Sequence, residues 1–263
     1  MKKTLVCALT IAMLGACATH QSPTGRGQTL LFSPAQMNSM GEASFNEMKK
    51  QQPISKDKKV TAYVECVADR ITSILPDQSM QWEVVVFDSD QVNAFALPGG
   101  HIGVYTGLLN VAENEHQLAT VMGHEVAHVL AHHSNEQVSR ARMTGMGMQL
   151  ADAALGMGGV NNKDLYMAAL GLGAQVGYIL PFGRDQESEA DMMGVELMAR
   201  AGFDPAQSML LWQNMAKAGG EQGPELLSTH PSHGHRIADL QKMQAKVVPL
   251  YQSSQSKVKK RCQ

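Results

Sequence analysis

His124-Glu125-Val126-Ala127-His128 sets two imidazoles four residues apart with a carboxylate between them. A helix turns about 100° per residue, so positions i and i+4 share a face and both rings can reach one zinc ion about 2 Å away. Glu125 then lies beside the ion's open position, where it can take a proton from water whose pKa the ion lowers to roughly 7. The surroundings read as a helix from Asn114 to His133, with Leu118, Val121, Met122, Val126 and Val129 supplying a buried apolar face around the motif. The pattern predicts a zinc hydrolase with its catalytic side chains on a hydrophobic helix.

Two histidines do not complete a catalytic zinc site; a third protein ligand is needed, with the fourth position left to water. His132 stands eight residues beyond His124, about 12 Å along an unbroken helix and out of reach of a shared ion, so His132 and His133 read as surface histidines. The HExxHxxGxxH pattern needs Gly and His where this chain has Ala131 and Ser134, which excludes that class. Glu187-Ser188-Glu189-Ala190-Asp191 remains. On a helix Glu187 and Asp191 project together, so Glu187 can bind zinc while Asp191 accepts the second N–H of a ligand histidine and orients it. Without the upstream motif this stretch would read as a solvated acidic face; with it, the ligand reading is preferred.

Working outward, Ser33-Pro34 reads as the cap and first position of a helix to about Lys50. Val60, Val64, Val67, Ile71 and Ile74 mark a second, amphipathic helix that Pro76 stops. Trp82–Phe87, Ala94–Ala96 and His101–Thr106 read as strands of a small sheet, separated by turns at Asp88-Ser89-Asp90 and Pro98-Gly99-Gly100. The Met- and Gly-rich stretch 141–180 reads either as a mobile, adaptable surface or, preferred on composition, as close-packed helices filled by Met. Further helices are expected over Asp185–Ala201, from Asp204-Pro205 to about Lys217, and from about His233 to Lys246. The expected fold class is α+β, mainly α: a gluzincin-type domain with a small sheet whose edge strand flanks the zinc helix.

At the N-terminus Lys2 and Lys3 precede an apolar run from Leu5 to Leu14, too short for a stable membrane span. Its end, Leu14-Gly15-Ala16-Cys17, resembles the bacterial lipobox. Residues 1–16 are therefore expected to be a lipoprotein signal peptide and Cys17 the lipidated residue, with no Asp after it to hold the chain at the inner membrane. Residues 17–33, rich in Thr, Gln, Ser and Gly, read as a flexible tether, residues 34–250 as the peptidase domain, and residues 251–263 as a basic, solvated tail. The formal net charge of −2 gives no reason to expect a nucleic-acid partner. Of four cysteines, Cys66 and Cys262 lie clear of the signal and the lipobox. In an oxidising compartment they either pair or remain as two thiols, and sequence does not choose.

With these motifs stands Asn93-Ala94-Phe95-Ala96-Leu97-Pro98-Gly99-Gly100-His101-Ile102-Gly103-Val104-Tyr105-Thr106, and later Thr229-His230-Pro231 followed by Arg236-Ile237. Four motifs in this order, over roughly residues 35–245, resemble the bacterial BepA/LoiP metallopeptidases, relatives of HtpX and the CAAX prenyl endopeptidases. The resemblance implies Glu187 as third zinc ligand and Asp191 as the group behind a ligand. It also implies His230 and Arg236 near the metal, either stabilising the oxyanion or, for His230, filling the fourth zinc position. BepA-type chains carry a helical-repeat domain after the protease, so this chain looks more like the LoiP type.

The implied chemistry is hydrolysis of a peptide bond, with one Zn2+ per chain held by His124, His128 and Glu187, and Glu125 as general base and then proton donor to the leaving amine. His101, Ile102, Gly103, Val104 and Tyr105 are expected to form the substrate edge, since an extended peptide can add as a strand to exposed backbone. The implied substrates are unfolded or misassembled envelope proteins, and the implied location is the outer membrane, facing the periplasm. Two alternatives stand: a latent protease acting mainly as a chaperone or assembly factor with His230 plugging the zinc, and a structural metal-binding lipoprotein. Glu125 argues against the latter, which has no use for a base.

Overall fold

Helices start where a side chain can take their first free amides. Asp57 Oδ1 accepts from the N–H groups of Lys59 and Val60, and Asn114 Oδ1 from those of His116 and Gln117. The structure, a computed structural model, describes residues 19–157, 182–218, 226–227, 230, 235–257 and 261–262. The signal-peptide and Cys17 expectations, and residues 158–180 of the Met- and Gly-rich stretch, lie outside these. Among the described residues no helix is long and apolar enough to cross a membrane.

The chain divides into two units, Met1–Pro34 with Ser134–Leu180, and Ala35–His133 with Pro181–Gln263. In the first, β1 (Thr19–Gln21) and β2 (Gly27–Thr29) form an antiparallel hairpin. Arg26 donates from both terminal guanidinium nitrogens to the Glu136 carboxylate, Gln28 donates to it as well, and the Leu31 N–H donates to Ser139 Oγ. The expected flexible tether, 17–33, is thus ordered from Thr19. Its polar composition reads as solvated, but those polar groups are hydrogen-bonded inside the unit. The long helix here, α4 (His133–Met157), exposes Met143 and Met146, so these two do not fill a core.

The second unit contains α1 (Pro34–Gln51), α2 (Lys58–Thr72), β3 (Glu83–Phe87), β4 (Ala94–Leu97) and β5 (His101–Tyr105). After a 3-10 turn (Thr106–Asn110) come α3 (Glu115–Leu130), α5 (Arg184–Arg200), α6 (Gln207–Ala218) and α7 (Arg236–Ser254). The sheet alternates cleanly. Val84, Val86, Ala94, Ala96, Ile102 and Val104 face the main core with Val64, Val67, Ile71, Leu118 and Met122, whereas Val85, Phe87, Phe95, Leu97 and Tyr105 face a second cluster around Phe45. Both faces are covered, as expected for strands carrying so many Val, Ile and aromatic residues.

Strand order is β3-β5-β4, with β3 parallel and β4 antiparallel to β5. The fold class is as expected, α+β and mainly helical, and an edge strand does flank α3. That strand is β4. His101–Tyr105 is paired along both sides and offers no free ladder, so the expectation that it forms the substrate edge is corrected. Gly99 and Gly100, at φ +95° and +88°, make the tight reversal that returns the chain from β4 into β5.

The C-terminal tail is corrected as well. α7 continues to Ser254 and a 3-10 turn to Lys257, and Cys262 is buried and disulfide-bonded to Cys66 of α2. Its N–H donates to Glu115 at 2.7 Å, and Glu115 also pairs with Arg70.

Candidate metal centre and active site

α3 carries His124, Glu125 and His128, and α5 carries Glu187, Glu189 and Asp191; all six are buried. The two helices meet at Gly123 and Gly194. A Cβ on Gly123 would come 2.7 Å from the Gly194 carbonyl oxygen, and one on Gly194 would come 2.7 Å from the His124 nitrogen. Only glycine at the crossing lets the backbones approach this closely, which brings the α5 carboxylates within reach of the α3 imidazoles.

His124, His128, Glu187 and His230 each offer a ligand atom, and these four atoms lie within 4.8 Å of one another. His128 Nε2 is 3.0 Å from His124 Nε2, and His230 Nδ1 is 3.2 Å from His124 Nε2 and 2.9 Å from Glu187 Oε1. Glu187 stands 3.4 Å from Nε2 of both His124 and His128. Three ring nitrogens and a carboxylate, buried and aimed at one point, form a donor set suited to a borderline-soft divalent cation, so the residues fit the metal that the sequence implies.

The electrostatics follow from burial and from Glu187. Burial opposes charge on His124, yet Glu187 and Asp191 outweigh it and hold this imidazole protonated up to about 10. A cation entering the site must displace that proton. Burial takes the His128 pKa well below the usual histidine value, so His128 is neutral and ready to ligate. Burial also opposes charge on Glu187, but the surrounding imidazoles hold it far below the carboxylate range. Burial raises the Glu125 pKa, as suits a group that must first accept a proton and later return it. Glu125 Oε2 accepts the Ala96 N–H at 3.2 Å; Oε1 is buried without a hydrogen-bond partner, 3.5 Å from His230 Nε2.

Asp191 stands where expected, its Oδ1 2.9 Å from His124 Nδ1. Arg236 lies beside it. Its Nε donates to Asp191 Oδ2 at 2.6 Å and its Nη2 to Glu187 Oε2, while the guanidinium lies 3.9 Å over the Trp212 ring. Those two donors tie Arg236 to the carboxylates of the assembly, while its Nη1 is buried without a hydrogen-bond partner.

Reading α3 as unbroken to His133 also fails. The helix ends at Leu130, His132 takes a left-handed φ of +54°, and α4 begins at His133. His132 is exposed as expected, but the reversal turns His133 inward, with Nδ1 2.8 Å from His128 Nδ1. Neither glycine nor proline marks this turn, so sequence carries no signal for it. Phe182, whose ring centroid lies 4.1 Å from that of His128 and 5.1 Å from that of His230, was likewise not anticipated. Trp212 was missed too, although it is one of only two tryptophans in the chain.

Residues 55–244 match the family described as Peptidase family M48, more than half of the chain. The chain belongs to peptidase family M48. The buried cluster of His124, His128, Glu187 and His230 lies inside the matched span. Among curated relatives, the chain is 37% identical over 183 residues to the mitochondrial metalloendopeptidase OMA1 of Schizosaccharomyces pombe, covering 69% of this chain and 52% of that protein. It is 35% identical over 219 residues to the corresponding Arabidopsis thaliana protein, covering 82% of this chain and 43% of that one. With the beta-barrel assembly-enhancing protease of Escherichia coli (strain K12) it shares 29% identity over 246 residues, 90% of this chain and 50% of that protein. The chain thus spans about half the length of the curated relatives it matches. Mitochondrial and bacterial names both occur among them, so the similarity establishes the M48 family and not its bacterial lipoprotein branch.

Proposed function

We propose that this M48 peptidase is a zinc metalloendopeptidase of the bacterial cell envelope. It would hydrolyse peptide bonds of unfolded or misassembled envelope proteins from a lipid anchor on Cys17, at the outer membrane facing the periplasm. The observation that carries the activity is the convergence of His124, His128 and Glu187 beside a buried Glu125 with one oxygen unengaged. The apolar run ending at Leu14-Gly15-Ala16-Cys17 supports the anchor, and the Cys66–Cys262 disulfide is in keeping with an oxidising compartment.

Zinc, held by His124, His128 and Glu187, would supply Lewis acidity and activate water. The remaining chemistry belongs to the chain. The Ala96 N–H fixes one Glu125 oxygen, leaving the other to take the proton from the attacking water and hand it to the leaving amine. Ala96 also locates the substrate. The Tyr105 N–H donates to the Asn93 carbonyl, so Asn93, Phe95 and Leu97 turn their backbone groups to β5 while Ala94 and Ala96 turn theirs outward. An extended peptide adding to β4 through the Ala94 backbone and the Ala96 carbonyl, the Ala96 N–H being held by Glu125, would lie alongside that carboxylate. Recognition through backbone would favour unfolded segments over folded ones.

The test is casein cleavage by the purified zinc-replete protein against Glu125→Gln. Loss of at least about 100-fold in rate with zinc content unchanged is expected, and equal cleavage by both proteins sinks the assignment. His230 favours a second reading, latency, because its Nδ1 sits among the ligand atoms and a fourth protein ligand closes a site to water. A His230→Ala variant with raised activity supports that plug; unchanged or lower activity opposes it.

A further inference from the structure

Behind His128 stand two buried groups that the metal cluster does not use. His133 Nδ1 lies 2.8 Å from His128 Nδ1, and His133 Nε2 lies 3.2 Å from Glu189 Oε2. His128, His133 and Glu189 are 1%, 0% and 2% exposed. These distances dictate where the protons sit. His128 turns Nε2 toward the cluster, 3.0 Å from His124 Nε2. A neutral imidazole that gives the Nε2 lone pair to a cation carries its hydrogen on Nδ1. That hydrogen needs an acceptor, so His133 must present a bare Nδ1 and carry its own hydrogen on Nε2, where the Glu189 carboxylate accepts it.

We propose that Glu189 and His133 form a positioning relay that fixes His128 as its Nδ1–H tautomer and strengthens it as a metal ligand. Asp191 acts on His124 directly, at 2.9 Å. Glu189 lies two residues from both Glu187 and Asp191 on α5, about 200° around the helix from each, and reaches the site through an intervening ring. The left-handed turn at His132 is what brings that ring into line. Every imidazole on the HExxH helix face thereby has a carboxylate behind it, as metal-ligating histidines generally require.

The relay rests on the reading of His128 as a metal ligand, and the experiment separates the two. Zinc affinity of the full chain is measured by chelator competition for wild type, His128→Ala, His133→Phe, His133→Asn and Glu189→Gln. Circular dichroism reports folding, and 15N shifts of the zinc-loaded wild type report the His128 tautomer. His133→Phe, which removes the acceptor, is expected to bind zinc about 10–100-fold more weakly. His133→Asn, whose amide oxygen can stand in for Nδ1, is expected to recover most of that loss. Glu189→Gln keeps an acceptor without its charge and is expected to fall between. Wild-type affinity in a folded His133→Phe or Glu189→Gln protein overturns the relay, as does a His128 ring protonated on Nε2. Should His133→Phe not fold, Glu189→Gln decides. A wild-type protein that takes up no zinc, so that His128→Ala changes nothing, overturns the metal-centre reading itself.

Discussion

Ionisable side chains in this protein take their behaviour from what burial leaves around them. Glu125 and Glu187 are both buried carboxylates, yet one is raised and the other lowered, because imidazoles ring Glu187 while burial dominates at Glu125. The same physics operates away from the site. Burial, aided by Glu115, pushes the Tyr63 hydroxyl up to about 12 from 10.0. Tyr63 is neutral in the fold, so its contribution to stability is complete below pH 10 and is lost as pH rises from 10 toward 12. Denaturation midpoints should therefore fall over that window, and a Tyr63→Phe variant should fall less; identical alkaline profiles would refute this. Histidine roles were unevenly legible at this scale. His124 and His128 lie one helical turn apart and could be read directly, whereas His133 depends on a reversal at His132 that no residue type announces.

Element positions were largely legible, because helix periodicity and caps are local. The α2 stripe, the start of α3 next to Asn114 and the Ser33-Pro34 start of α1 fall where sequence places them. What local pattern does not contain is which element lies beside which. Three strands were readable, but the order β3-β5-β4 was not, and with it went the identity of the edge. The α3–α5 crossing is another such case, since Gly123 and Gly194 are remote in sequence. Gly194→Ala would drive a methyl against the His124 backbone nitrogen. It should destabilise the fold by about 1–3 kcal/mol and weaken zinc binding too, because Glu187 and Asp191 ride on the displaced helix. Gly145→Ala, with no atom within 4 Å of the new Cβ, is the control and should be neutral to slightly stabilising. Thermal melts and chelator competition on both variants check the pair.

Across the whole second unit, the Cys66–Cys262 disulfide joins α2 to the chain's last described residue over a separation of 196 residues. Closing so long a loop restricts the unfolded chain strongly, and the contribution should be about 2–5 kcal/mol. Reduction should lower the melting temperature by roughly 5–15 °C, measurable by calorimetry with and without dithiothreitol. A Cys66→Ala, Cys262→Ala double variant should melt low and ignore the reductant; a wild-type melt indifferent to reduction would contradict the pairing. Sequence alone pointed to a peptidase and to His124, His128 and Glu187 as candidate ligands, because HExxH and the Glu187–Asp191 spacing are statements about single helices, which helical geometry makes predictable. Only the tertiary structure made β4 the edge, turned His133 behind His128, committed Arg236 to Glu187 and Asp191, and closed the disulfide. Each of these depends on strand order, a chain reversal or a contact between distant segments, and those are settled by packing rather than by periodicity.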